Sequence, residues 1–289
     1  MIHTNRIIRP PFERRSKILH VTTGCSHNKC SFCNYNKNTT YKIRTIDEIK
    51  NDIIKLKKEK YVFRRLWLQS ADPFALDTDY LLKIAYNVNK YLPFVESIGS
   101  YARIDNLNNK TEEDLILLRE HGYNHIVFGL ESGDDNLLGK VNKGYDRQEA
   151  LRQLTKINNA GMDYTLIYLC GLGGLNYGMA NAYKTAPIIN KLNVERIMIN
   201  TLTLLENTPL YDDNTFKTAT EKEKLSEIIT FIKQLNIETF IDATHASNTI
   251  KFFGEIPKNK MHIIDHLEEV LNNNTEEQLK QKHKKIKQV

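Results

Sequence analysis

This chain has few cysteines, no stretch rich in glycine, serine or proline, and no long hydrophobic run. Each absence removes a class of protein. Four cysteines among 289 residues, three of them crowded together, do not make a disulfide framework and suit a reducing cytosol. Without a flexible linker there is no obvious seam between domains. The longest apolar segment, Tyr164 to Leu175, is interrupted by glycines and is too short to span a membrane. The opening residues Met1-Ile2-His3-Thr4-Asn5-Arg6 lack the pattern of a secretory signal, so a cytoplasmic location is expected.

Charge of one sign is also modest. The formal net charge is +6, and much of it lies in the tail, at Lys280, Lys282, Lys284, Lys285 and Lys287. No aromatic residues interleave these lysines as stacking platforms, so a solvated helix end competes with an RNA or membrane-surface contact. Apolar residues, by contrast, are plentiful: 40% of the chain is hydrophobic and 26% charged, with a mean hydropathy of −0.48. That describes a soluble protein whose length fits two domains or one α/β barrel.

The chemistry concentrates between Gly24 and Tyr35, where Cys25, Cys30 and Cys33 fall as C-x4-C-x2-C directly after the strand-like run Ile18-Leu19-His20-Val21. A tight loop at a strand end can aim three thiolates at one point. Such a cluster holds zinc or an iron–sulfur centre, or it is three free thiols. Structural zinc wants a fourth ligand nearby, and here only His27 is local, with Cys170 far along the chain. Three thiolates on four irons leave one iron open to a small molecule.

Around this loop the sequence alternates. Strands are expected at Lys17–Thr23, Arg65–Gln69, Val95–Tyr101, Asn124–Leu130, Asp163–Leu169 and Glu195–Leu202. Amphipathic helices are expected at Ile46–Lys60, Thr78–Tyr91, Thr111–His121, Arg147–Ala160 and Met179–Leu192. Thr45 and Thr111 precede acidic residues that suit a helix start, and Gly122 and Gly161 stand where helices stop. Six βα units with right-handed crossovers predict an α/β partial (β/α)6 TIM-like barrel over residues 17–203. Residues 1–16 read as an irregular lead-in. Residues 204–289 read as a carboxyl-terminal α/β extension with a helix at Glu221–Leu235, a strand at Ile237–Ile241 and a basic helix from Met261 to Lys287. In a parallel barrel the loops after the strands carry the site, which points to the cysteine loop, Ser70-Ala71-Asp72, Ser100 to Arg103, Glu131 to Gly133, and Gly171 to Gly174.

Cys25, Cys30, the aromatic Phe32 and Cys33 resemble the signature of the radical S-adenosylmethionine (SAM) enzymes. The gap between Cys25 and Cys30 is one residue longer than that superfamily's usual C-x3-C-x2-C. The run from Gly24 to Cys30 is similar to an iron–sulfur oxidoreductase branch akin to Elongator and methylthiotransferase cores. The resemblance reinforces the partial barrel and implies a [4Fe-4S] cluster on Cys25, Cys30 and Cys33 with SAM on the open iron. It also implies reductive cleavage of SAM to a 5′-deoxyadenosyl radical and an external donor such as flavodoxin or ferredoxin. Phe32 would pack on adenine, with Tyr35 and the neighbouring backbone at the ring edge. Glu131, in Gly129-Leu130-Glu131-Ser132-Gly133, would bind polar groups of SAM; the competing reading of that segment is a helix cap from Asp134. Asp72 and Ser100 occupy equivalent strand ends, and Gly171 lets backbone approach the cofactor. Arg103 would meet the SAM carboxylate, a substrate acid, or Asp105. His245 and Asn248, in Thr244-His245-Ala246-Ser247-Asn248, are candidates for substrate orientation or proton transfer. Cys170 reads as a buried small hydrophobe. The substrate is open between a small molecule and a tRNA base, and a monomer is expected. The alternative is a non-catalytic iron–sulfur or zinc module, an electron carrier or RNA-binding protein.

Overall fold

A computed structural model describes residues 8–59 and 63–284. The start of the lead-in, the Lys60 end of the first expected helix, and Lys285 and Lys287 of the tail lie outside the described residues. In chain order come β1 (Lys17–His20), β2 (Thr22–Thr23), β3 (Lys42–Ile43), α1 (Ile46–Leu56), β4 (Arg65–Gln69), α2 (Thr78–Tyr91), β5 (Ser97–Ala102) and α3 (Glu112–Glu120). Next are β6 (Ile126–Glu131), α4 (Asp135–Lys140), α5 (Arg147–Asn159), β7 (Tyr164–Cys170), α6 (Gly178–Ile189) and β8 (Arg196–Thr201). The chain ends with α7 (Pro209–Asp212), α8 (Glu221–Gln234), β9 (Thr239–Asp242), β10 (Phe253–Ile256), α9 (Lys260–Asn273) and α10 (Glu276–Lys284). Among the described residues no helix is long and apolar enough to cross a membrane.

Two compact units divide the chain. The first holds the residues up to Asn28, Tyr35–Gly129 and Gln153–Tyr164; the second holds Lys29–Asn34, Leu130–Arg152 and the residues from Thr165 on.

In the first unit β1, β4, β5 and β6 run parallel, in register at Leu19↔Leu68, Leu68↔Ser100 and Ala102↔Phe128. The connecting helices are amphipathic: Ile49 and Ile53 of α1, and Leu81, Ile84 and Val88 of α2, recur at helical spacing and are fully buried. Removing such a side chain from water stabilises the fold by about 1.5–3 kcal/mol. Trp67 of β4 meets Tyr101 of β5 edge-on at 5.1 Å, an arrangement that suits the ring quadrupoles. The Thr45 hydroxyl accepts from the Glu48 amide while Glu48 reaches back to Thr45, and Thr111 and Asp114 repeat the device, so both helices start where the sequence puts them.

The second unit has β7, β8 and β9 parallel, with β10 antiparallel to β9. Behind β7, Tyr168 stacks on Phe231 of α8 at 4.0 Å. Arg196 lies 4.4 Å from the Phe240 ring and 3.1 Å from Asp242, tying β8 to β9.

Two expected elements differ. The strand expected at Lys17–Thr23 is broken at Val21, whose carbonyl accepts from Arg44, and Thr22–Thr23 turns away to pair antiparallel with Lys42–Ile43. The long final helix is broken at Asn274, where the backbone becomes extended. Asn274 donates back to Val270, and a second helix restarts on a Thr275–Gln278 capping pair. Thr275-Glu276-Glu277-Gln278 already carries that signal. The hairpin strand β10 and the short α7 have no counterpart in the expected pattern, because each is too brief to show a period.

Candidate metal and cofactor site

The first unit contributes Cys25. Gly24 before it has φ +72° and its Cβ position lies 2.8 Å from the Tyr41 nitrogen, so no other residue fits without moving backbone. The Asn28 amide donates to Cys25 Sγ at 3.4 Å. Asn28 has φ +49°; a short polar side chain tolerates this left-handed turn in the first cysteine gap. Burial and the Asp72 carboxylate push the Cys25 thiol up, against the Asn28 and His27 amides and the Arg103 charge.

Cys30 and Cys33 belong to the second unit and share one turn, the Cys33 amide donating to the Cys30 carbonyl at 3.4 Å. The Ser31 amide donates to Val141, and the Ser31 carbonyl accepts from Leu210. Phe32 packs against Val141, Leu172, Leu202, Leu210 and Phe216. Cys25, Cys30 and Cys33 are part-exposed, and none is in a disulfide. That is the donor set a cluster with one open iron requires. Among the described residues no group of three or more His, Cys, Asp or Glu side chains is gathered for a metal ion.

The other expected positions have definite partners. Asp72 is fully buried and accepts from the Ser26 amide and hydroxyl; burial raises its pKa, and the Ser26 donors oppose this. Lys110 braces the same loop, donating to the Phe74 and Leu76 carbonyls at 3.0 and 2.7 Å, and burial brings its pKa to about 8. Ser100 Oγ is buried with no hydrogen-bond partner among the described residues. Arg103 pairs with Asp105 at 2.9 Å, one of the partners the sequence left open. Tyr35 is exposed.

In the second unit Glu131 is buried with its Oε1 2.9 Å from Lys143 Nζ. Its φ of +65° is costly for a residue with a side chain and is met most often at functional positions. The Lys143 ammonium also lies 5.9 Å from the Phe32 ring and 5.8 Å from the Tyr145 ring. The helix-cap reading of this segment holds for Asp134, which accepts from the Asn136 amide at the start of α4. Gly171, at φ +79°, donates its amide to Glu227 Oε2 at 2.9 Å. Glu227 is fully enclosed, also accepts from Tyr168 and Asn181, and has its pKa raised by burial. Cys170 is buried, as expected.

His245 Nδ1 accepts from the Ser247 amide at 3.1 Å, and burial lowers its pKa, against the Asp242 charge. Asn248 donates to the Ile199 and Ala243 carbonyls and accepts from Thr201. These bonds fix the end of β8. Sequence reasoning passed over Lys143, Ser26 and Glu227 as site residues. The signals available were local: Ser26 stands inside the cysteine run, Lys143 follows the Glu131 segment, and Glu227 shares a helical stripe with Lys224 and Phe231.

Residues 19–186, more than half the chain, match the profile of the radical SAM superfamily. This chain belongs to the radical SAM superfamily. Family members use a [4Fe-4S] cluster and SAM. Coproporphyrinogen III oxidase (HemN) from Escherichia coli, a radical SAM enzyme, is similar with a TM-score of 0.57 and 17% identity over 76% of this chain and 52% of its own. Methylornithine synthase (PylB) is similar with a TM-score of 0.54 and 18% identity, over 81% of this chain and 65% of its own. These likenesses show the expected fold class, the α/β partial barrel of the radical SAM enzymes. Among curated proteins, the heme chaperone HemW of Buchnera aphidicola subsp. Schizaphis graminum is 23% identical over 75% of this chain and 59% of its own length. HemW of Bacillus subtilis is 23% identical over 55% and 43%. The chain thus spans about half the length of the curated relatives it matches.

Proposed function

We propose that this radical SAM chain holds a [4Fe-4S] cluster on Cys25, Cys30 and Cys33 and cleaves SAM to abstract hydrogen from a substrate. The observation that carries this reading is the C-x4-C-x2-C loop inside the span that matches the superfamily. When bound and reduced, the cluster supplies the electron that splits SAM into methionine and a 5′-deoxyadenosyl radical. The chain's own residues position and enclose. Phe32, seated in its apolar cluster, offers a face to adenine, with Tyr35 at the ring edge. Glu131, its carboxylate fixed by Lys143, accepts from polar groups of SAM. The unpaired Ser100 hydroxyl and the Arg103 guanidinium supply donors, and left-handed Gly171 lets backbone pass close. His245 donates from Nε2 toward substrate, on a loop held by Asn248.

The substrate is a small molecule or a tRNA base, the electron donor a flavodoxin or ferredoxin, and the working form a cytoplasmic monomer. Salt-dependent retention of tRNA separates the two substrates. Anaerobic reconstitution, then dithionite and SAM, tests the catalytic reading: 5′-deoxyadenosine is expected, and its absence from a cluster-loaded sample refutes it. A second reading comes from the curated relatives, which are named heme chaperones: heme carriage without turnover. Saturable heme binding by a loaded chain that leaves SAM intact would establish it.

A further inference from the structure

We propose that Ser70 and Asp72 are positioning residues that grip the backbone on either side of Cys25 and preset it for the metal, Asp72 acting through Ser26. The inference rests on the cluster reading above and adds the device that holds its first ligand. Both residues lie just after β4, two positions apart, and each reaches across to the loop after β1. Ser70 Oγ donates to the Gly24 carbonyl at 2.8 Å. The Ser26 amide donates to both Asp72 oxygens, at 3.2 and 3.3 Å, and the Ser26 hydroxyl donates to Oδ2. Gly24 and Ser26 are the residues on either side of Cys25.

Burial makes the grip specific. Asp72 is fully enclosed, and its remaining capacity is met by the Asn106 side chain. Asn106 Oδ1 in turn accepts from the Arg103 amide at 2.8 Å, so the end of β5 supports the end of β4. A buried carboxylate bonded in this way is committed to its donors, because breaking them leaves a desolvated charge. Asp72 therefore faces the cysteine loop and not the cofactor. Gly24 completes the arrangement, since the Thr39–Tyr41 backbone packs within 2.9 Å of where a side chain would begin. A ligand loop held on both flanks binds metal without first ordering itself.

The test uses the full chain and two variants, Asp72→Ala and Ser26→Ala. Three readouts are compared with wild type: iron retained after anaerobic reconstitution, hydrogen exchange of the apo chain, and SAM binding. In the Asp72→Ala apo chain, the peptide spanning Gly24–Asn28 should exchange roughly tenfold faster, the factor expected for a lost charged hydrogen bond. The Ser31–Asn34 peptide should be unchanged. Iron retention should fall in both variants, less in Ser26→Ala, which keeps its amide. A merely structural role would speed both peptides together and lower the melting temperature. Should Asp72→Ala fail to fold, Ser26→Ala decides, because that side chain is exposed. Wild-type iron retention in a folded variant overturns the proposal. So does normal iron with lost SAM binding, which would return Asp72 to the cofactor. Failure of the wild-type chain to take up a cluster would instead sink the cluster reading itself.

Discussion

Replacing Lys143 with methionine tests whether the Glu131–Lys143 pair is a buried, coupled unit. The pair is 2.9 Å apart with side-chain exposures of 5% for Lys143 and 9% for Glu131. Methionine keeps the apolar stem, so little cavity forms and the change isolates the charge. It leaves the Glu131 carboxylate buried without its cation, a loss of about 3–5 kcal/mol. Within that figure the ammonium's contacts with the Phe32 and Tyr145 rings account for about 0.5–1 kcal/mol. The double variant Lys143→Met, Glu131→Gln removes the stranded charge and should cost roughly 1–3 kcal/mol less than the sum of the single changes. Urea unfolding at pH 7 of the four proteins, with the slopes compared, gives the coupling. A loss below about 1 kcal/mol for Lys143→Met, or additivity within about 0.5 kcal/mol, refutes the argument.

Gly24→Ala should lower stability by more than about 1 kcal/mol, since it combines a left-handed backbone with a clash against Tyr41, and should reduce iron uptake; both are read from melting and iron content. Glu221 is buried, which alone would raise its pKa, but His283, Lys224 and Thr249 bring it down from 4.5 to about 2. Its folded pKa lies below its unfolded one, so its stabilisation is present above pH 4.5 and is lost as pH falls toward 2. The full shift corresponds to about 3 kcal/mol, and solvent screening leaves roughly half; Glu221→Gln should flatten the acid limb of a stability–pH curve, and an unchanged limb refutes this. Thr45→Ala should cost about 1 kcal/mol by removing the cap of α1, measured by the same urea titration.

The strand and helix rhythm was legible because its signals are local. Thr78–Tyr91 and Arg65–Gln69 fall where periodicity and capping put them. The closeness of the three cysteines along the chain was legible for the same reason, since their spacing is read from the sequence alone. Short elements such as β10 and α7 were not, because their form depends on what they pair with and pack against.

What the sequence determined by itself is the βα alternation, the place of the thiolates along it, and, by resemblance, the family. Only tertiary structure decided the partners. It joined Asp72 to Ser26 across 46 residues and Glu227 to Gly171 across 56, and it set Lys143 beside Glu131. The reason is physical. A carboxylate at a strand end has the same local sequence signal whether it meets a cofactor or a loop amide. Burial then ties an enclosed charge to the donors that folding brings to it.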